Sequence, residues 1–177
     1  MDKQEFWNII NHAVVQSSNV DAVKNKEIIA KLATYSADEI IEFEKIFRTL
    51  VFEANDFKVM AANKIIDGWV GDDPYLYFRC WLIAQGERTF NETLKNPDYL
   101  ADVVDKRTDA SFEDLMYVST IAFQQSTGKE EEDDRFPRCV AIDAGLDYDF
   151  AAPPTTGIDW TNEQLPILYP KLWAKFN

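Results

Sequence analysis

Residues 75–84 are apolar at nearly every position, which limits the folds that the chain can adopt. Pro74 precedes this run and Gly86 follows it, an order typical of the first turn and the end of a helix. Asp73 is predicted to be the N-cap, because an aspartate can accept hydrogen bonds from the first free amides. A helix that is apolar on all sides is buried, so other elements must surround it. Its one strong charge is Arg79.

Helical patterns also precede this central helix. Residues 2–17 and about 21–34 place apolar side chains three and four positions apart, which lines one face of a helix. Ser36 and Glu39 form a capping box at the start of a long helix of about 18 residues. A further helical pattern covers about residues 56–67, and others follow the central helix. The sequence therefore predicts an all-α fold of about seven to eight helices.

The pattern changes near residue 129. The acidic run at residues 130–134 is predicted to be a solvated loop, and residues 139–142 are compatible with a short strand. Aromatic side chains close to the C-terminus should dock on the helical body. We therefore predict a single domain over residues 1–177, with a helical body (1–128), an irregular acidic segment packed back on it (129–160) and a docked C-terminal helix or turns (161–177).

The chain is strongly acidic, with a net charge of −13 and a pI near 4.4. Residues 98–159 contain fifteen acids and five bases. This balance argues against nucleic acid as the main ligand and against anionic membranes, because both attract basic surfaces. The start of the chain lacks the pattern of a signal peptide, and no run approaches the length of a membrane span. Cys80 and Cys139 are far apart, so we expect free thiols and a cytoplasmic location.

The loop before the central helix is the candidate binding region, with two interpretations. In the structural one, Asp72 and Asp73 only stabilise the positive end of the helix. In the functional one, an aspartate acts as acid, base or metal ligand in a pocket walled by Trp69 and Trp81. A buried guanidinium must be paired, so Arg79 either binds these carboxylates structurally or binds an anionic ligand. The tryptophans are predicted to belong to the core: Trp7, Trp69, Trp81, Trp160 and Trp173.

Common catalytic and metal-binding patterns do not stand out. His12 is the only histidine, so a zinc site with about four ligands is not expected. The sequence has no GxSxG elbow, GxGxxG loop or Walker A motif. The acids at residues 143, 147 and 149 do not follow the calcium-loop pattern, because the glycine comes too early and the closing glutamate is missing. We therefore predict neither a metal nor a cofactor.

The central helix also carries a family resemblance. Asp72-Asp73 and the run YFRCWLIAQG at residues 77–86 resemble the motif SDD…FxxFRxWLIxQG of a bacterial family, domain of unknown function 4240. The segments EFW at residues 5–7 and NPDYL at residues 96–100 are similar to it too, and the resemblance covers about residues 2–128. It implies an all-helical fold and no established activity. Five residues that match the motif are candidates for a shared site or a shared structural cluster: Asp72, Asp73, Arg79, Trp81 and Gly86.

Charge and motifs together favour a non-catalytic binding or interaction protein that acts on a basic protein partner. Acidic proteins of this size can neutralise such a partner, and their electric field speeds the encounter. The alternative is a small-ligand-binding protein or enzyme with a pocket around Asp72, Asp73 and Arg79. A third interpretation makes the same residues purely structural.

Overall fold

The computed structural model describes residues 1–18, 20–129 and 133–177, and its regular elements are helical. The α-helices are α1 (Lys3–Ser17), α2 (Asp21–Leu32), α3 (Ala37–Glu53), α4 (Phe57–Asp67), α5 (Asp72–Ala84), α6 (Glu87–Lys95), α7 (Val118–Thr127), α8 (Pro137–Asp143), α9 (Leu165–Leu168) and α10 (Pro170–Phe176), with 3₁₀ helices at Pro97–Asp102 and Glu113–Tyr117. The described residues contain no strand, and the prediction of an all-α fold is confirmed. Short helices that leave no periodic pattern raise the number of helices above the seven to eight predicted.

The helices form two compact units. Unit 1 consists of Met1–Phe52 and Glu113–Pro153, and unit 2 consists of Glu53–Phe112 and Pro154–Asn177. Unit 2 therefore joins the middle of the sequence to its C-terminal end. Residues 130–132, the first three of the predicted acidic loop, lie outside the described residues. The assignment of residues 1–177 to one domain stays a prediction.

Local signals begin the helices of unit 1 where the sequence predicts. The Glu5 amide donates to Asp2 Oδ1 at 2.8 Å, which caps α1. The capping box at the start of α3 is confirmed, because the Ser36 amide donates to Glu39 Oε2 at 2.9 Å and the Glu39 amide donates to Ser36 Oγ at 3.4 Å. α1 packs on α2, α2 on α7, and α7 on α8.

A buried ion pair lies inside unit 1. Glu44 and Arg48 are each 2% exposed, and Arg48 Nε donates to Glu44 Oε1 at 2.5 Å. The Ser119 hydroxyl donates to the other carboxylate oxygen at 2.6 Å. Arg48 also donates to the Leu146 carbonyl oxygen at 2.9 Å, and its guanidinium lies 4.2 Å from the ring centroid of Tyr148. This network fastens the segment after α8 to α3.

The short strand that the sequence leaves open for residues 139–142 does not form, because these residues lie in α8. Pro137 occupies the first turn of this helix, where its missing amide hydrogen costs nothing. Seven residues make fewer than two full turns, which is too short for a helical period to appear in the sequence.

The central helix α5 belongs to unit 2 and is buried along most of its length. Asp73 is not its N-cap, which corrects the prediction. The helix begins at Asp72, with Gly71 in the N-cap position and no side-chain cap. Its first helical hydrogen bond runs from the Tyr75 amide to the Gly71 carbonyl oxygen at 2.9 Å, so Pro74 is tolerated because no amide is needed before this bond. Both aspartates therefore lie in the first turn, at the positive end of the helix.

The C-terminal segment is built into unit 2. Asp98 accepts hydrogen bonds from the backbone amides of Lys171 at 3.2 Å and Leu172 at 2.9 Å. Its carboxylate therefore caps α10 from a distant part of the chain, and α10 packs on α4 and on the 3₁₀ helix Pro97–Asp102. Gly157 has a positive φ of 84°, and a Cβ there would lie 2.9 Å from Asp56 Oδ1. A residue with a side chain would be strained at this φ and would displace the Asp56 carboxylate, so glycine is favoured here.

Tyr75 on α5 connects the central helix to the Ala54–Asp56 turn, which pairs with the C-terminal segment. Its hydroxyl lies 2.8 Å from the Ala54 carbonyl oxygen and accepts a hydrogen bond from the Asp56 amide at 3.1 Å. The same turn pairs with the C-terminal segment, because the Thr156 amide donates to the Asn55 carbonyl oxygen at 3.0 Å. α5 therefore stabilises the Ala54–Asp56 turn, on which the C-terminal segment packs.

Candidate functional site

An open cavity of about 390 Å³ in unit 2 is the candidate site. Its walls come from the end of α4 and the loop after it, from the first turns of α5, and from the loop that precedes the 3₁₀ helix Glu113–Tyr117. The lining residues are Asp67, Trp69, Pro74, Tyr77, Asp109 and Ser111. Small-molecule sites usually measure about 300–1,000 Å³, so the cavity has room for an amino-acid side chain.

Asp67 is held in place by a buried neighbour on the same helix. It is the last residue of α4, which ends at Gly68 in a left-handed conformation (φ 78°). Asn63, one turn earlier, is 0% exposed, and its Nδ2 donates to Asp67 Oδ2 at 2.6 Å. The other amide atom, Asn63 Oδ1, is buried with no hydrogen-bond partner among the described residues. A buried oxygen without a hydrogen-bond partner costs folding free energy. The nitrogen of the same amide holds the Asp67 carboxylate in place.

The two carboxylates of the cavity interact. Partial removal from water raises the pKa of Asp67, although the residue as a whole is exposed. The hydrogen bond from Asn63 favours the charged form and opposes this shift, whereas the nearby charge of Asp109 raises the pKa further. Two like charges at one cavity create a negative potential that a bound cation would relieve.

Trp69 supplies an exposed aromatic face beside these acids. It is 58% exposed, so the prediction that it belongs to the core is wrong. A Cβ at Gly71 would lie 3.1 Å from Trp69 Cζ3, which shows that the indole packs over a residue with no side chain. Trp69 stands in a loop between two glycines instead of on a helix face, and this position leaves its ring in solvent.

The other predicted site residues lie elsewhere in unit 2. Asp72 and Asp73 are exposed in the first turn of α5 and do not line the cavity. Trp81 is buried, with its ring centroid 5.6 Å from that of Phe78. Of the proposed pocket, the structure therefore brings only Trp69 to the cavity.

Arg79 is 7% exposed, so its predicted burial in α5 is confirmed. Its Nε donates to the Tyr75 carbonyl oxygen at 3.3 Å, and its guanidinium lies 4.6 Å from the Tyr75 ring centroid. Burial lowers its pKa, and the interaction with Tyr75 opposes that shift. These contacts join Arg79 to the tyrosine that supports the Ala54–Asp56 turn.

Sequence reasoning missed Asp67 and Asp109 as site residues. Asp67 stands in the acidic loop that the sequence singles out, but its helix-terminal position is equally typical of a solvated residue. Asp109 lies in an irregular loop with no motif around it. Only the folded chain places the two together.

Two kinds of feature are absent from the described residues. No group of three or more histidine, cysteine, aspartate or glutamate side chains there is arranged to hold a metal ion. No helix in the same part of the chain is both long and apolar enough to cross a membrane.

Comparison with known proteins places the chain in one family. No curated protein and no solved structure matches the chain. A family model described as "Protein of unknown function (DUF4240)" matches residues 1–125. The match includes every residue that lines the cavity, whereas α8, α9 and α10 lie beyond it. Because the model covers well over half of the 177 residues, the chain belongs to this family, and the predicted resemblance is confirmed.

Proposed function

We propose that the chain is a non-catalytic binding protein whose cavity in unit 2 receives a cationic group of a basic protein partner. The observation that carries the proposal is the shared cavity of Asp67, Asp109 and the exposed indole of Trp69. Carboxylates attract a cation, and an aromatic face next to them adds a cation–π interaction.

The charge of the whole chain supports the same function. With a net charge of −13, the protein attracts basic partners over a distance and repels acidic ones. Such steering raises the association rate and weakens as salt is added. The partner's cationic group would then bind in the cavity, where it contacts the two carboxylates and the indole ring.

The cysteines fit a cytoplasmic location, which is part of the proposal. Cys80 and Cys139 are both free, and Cys80 is buried. Free thiols are typical of proteins in a reducing compartment.

The test is binding of a synthetic peptide in which glycine alternates with arginine and lysine, measured by titration calorimetry at low and high ionic strength. We expect binding that weakens with salt. The double variant Asp67→Asn/Asp109→Asn should lower the affinity by about tenfold, because it removes both charged acceptors from the cavity.

The matched control is Asp114→Asn/Asp143→Asn, which removes the same two charges from exposed positions of unit 1. It should lower the affinity by less than about twofold. Equal losses in the two double variants would contradict the proposal, because general acidity would then explain the binding. Failure of the peptide to bind at low ionic strength would contradict it as well.

A further inference from the structure

We infer that the cationic group received by the cavity is the guanidinium of an arginine side chain, a step that rests on the proposed function. The cavity is lined by three kinds of group that a guanidinium uses at once: two carboxylates, a flat exposed indole and a second aromatic ring, Tyr77. Arginine presents five N–H donors in one plane and stacks on aromatic faces, whereas the lysine ammonium is a compact point charge.

The indole of Trp69 presents a face suited to a planar cation. Its ring packs over Gly71, and Pro74 Cδ lies 3.7 Å from the same Cβ position, so the ring rests on the start of α5. More than half of the residue is still exposed. Tryptophan gives the strongest cation–π interactions, and arginine is found in them more often than lysine.

The carboxylate of Asp67 is oriented in advance. The buried amide of Asn63 donates to Asp67 Oδ2 at 2.6 Å, while Asp67 as a whole remains exposed to the cavity. Asn63 is completely buried, and its Oδ1 has no hydrogen-bond partner among the described residues. Its amide nitrogen nevertheless binds Asp67, so the Asp67 carboxylate is a positioned acceptor and not merely a surface charge. An acceptor fixed in this way favours a ligand with donors of fixed geometry, because both partners then lose little entropy on binding.

Hydration favours arginine in an open cavity. The cavity is accessible to water, so an ammonium ion gains little by exchanging its strong hydration for two exposed carboxylates. A guanidinium is more weakly hydrated and places its faces against aromatic rings while its edges reach the acids.

The test compares three blocked tripeptides, acetyl-Gly-Arg-Gly-amide and its lysine and citrulline counterparts, by NMR titration of the isotope-labelled full chain. We expect the arginine peptide to bind about fivefold tighter than the lysine peptide. The citrulline peptide, which keeps the shape but lacks the charge, should bind at least about tenfold more weakly than the arginine peptide. Trp69→Ala should lower the affinity for arginine about fivefold and that for lysine less than about twofold.

Gly71→Ala is the second variant, because its Cβ crowds the indole while both acids and Trp69 remain. It should also reduce the preference for arginine. Equal affinities for arginine and lysine, or a citrulline peptide that binds as well as arginine, would overturn the inference. If Asp67→Asn/Asp109→Asn still weakens both charged peptides, the proposed function survives that result. If this variant leaves both affinities unchanged, the inference and the proposed function fall together.

Discussion

Glu44 in unit 1 and Asp67 in unit 2 show two opposite uses of a carboxylate. Both oxygens of Glu44 are occupied, one by Arg48 and one by Ser119, and the residue is 2% exposed. Asp67 has one oxygen bound by Asn63, lies at an open cavity and interacts with a second acid, Asp109. A carboxylate with every acceptor used stabilises the fold, whereas one held in place next to a like charge keeps a capacity to bind.

The comparison explains why burial of charge alone is a poor guide to function. Glu44 and Arg48 of unit 1 are buried and paired with each other, and their contacts account for both charges. The charges of unit 2 that line the cavity are exposed, and their mutual repulsion is the property that a ligand would change.

The largest expected effect is at Glu44. Glu44→Ala leaves Arg48 buried without its carboxylate, which should lower the free energy of unfolding by about 3–5 kcal/mol. Urea denaturation measures the loss. The double variant Glu44→Leu/Arg48→Met should recover most of it, because the unpaired charge is then removed. A loss below about 1 kcal/mol for Glu44→Ala would show that the ion pair is not a structural element.

Asp98 is a carboxylate of unit 2 whose two oxygens are both bound, in contrast to Asp67 in the same unit. Its carboxylate binds the amides of Lys171 and Leu172, so it should behave like Glu44 and unlike Asp67. Asp98→Ala should cost about 1–2 kcal/mol, the usual value for a lost helix cap. Hydrogen exchange should show faster exchange at these two amides, and Asp98→Asn, which keeps an acceptor oxygen, should lose less. Unchanged exchange in Asp98→Ala would contradict the capping role.

Asn63→Leu separates positioning from stability. The substitution removes the unsatisfied Oδ1 and the hydrogen bond to Asp67 together, so the unfolding free energy should change by less than about 1 kcal/mol. The pKa of Asp67 should rise further, because the interaction that favours its charged form is lost. Carbon-13 NMR of the carboxyl group measures this shift. A large loss of stability with no change in the pKa of Asp67 would make Asn63 a packing residue only.

The smallest effect is expected at Tyr35 in unit 1, whose hydroxyl donates to the carboxylate of Glu5. Partial burial and then this hydrogen bond raise the pKa of Tyr35 to about 12. Because the folded state holds this proton above the unfolded pKa of about 10, the stabilisation is complete below pH 10 and falls as the pH rises through about 12. The difference in tyrosinate absorbance between wild type and Tyr35→Phe should titrate near pH 12. A titration near pH 10 would contradict the assignment.

Local chemistry predicts much of the fold. The capping box of Ser36 and Glu39 marks the start of α3 because both of its hydrogen bonds stay within four residues. The apolar run of α5 predicts its burial, including that of Arg79, because no face is left for solvent. The exact N-cap is missed because Gly71 takes the extended conformation before the helix without a side-chain signal.

Contacts between distant parts of the chain could not be predicted from the sequence. Asp98 caps a helix that begins more than seventy residues later, and no local pattern announces such a pair. The cavity depends in the same way on Asp109, which lies in an irregular loop, and on a tryptophan whose exposure follows from the glycines around it. The sequence shows an acid-rich loop near Asp67 and leaves open which acids share a site.

Binding of a cation in the cavity can be measured through the pKa of Asp67, followed by carbon-13 NMR with and without saturating acetyl-Gly-Arg-Gly-amide. A cation seated between Asp67 and Asp109 favours the charged form, so the pKa should fall when the peptide binds. The citrulline counterpart, which lacks the positive charge, serves as the control and should leave the pKa of Asp67 unchanged. A pKa of Asp67 that stays constant or rises at saturation would contradict the binding of a cation in this cavity.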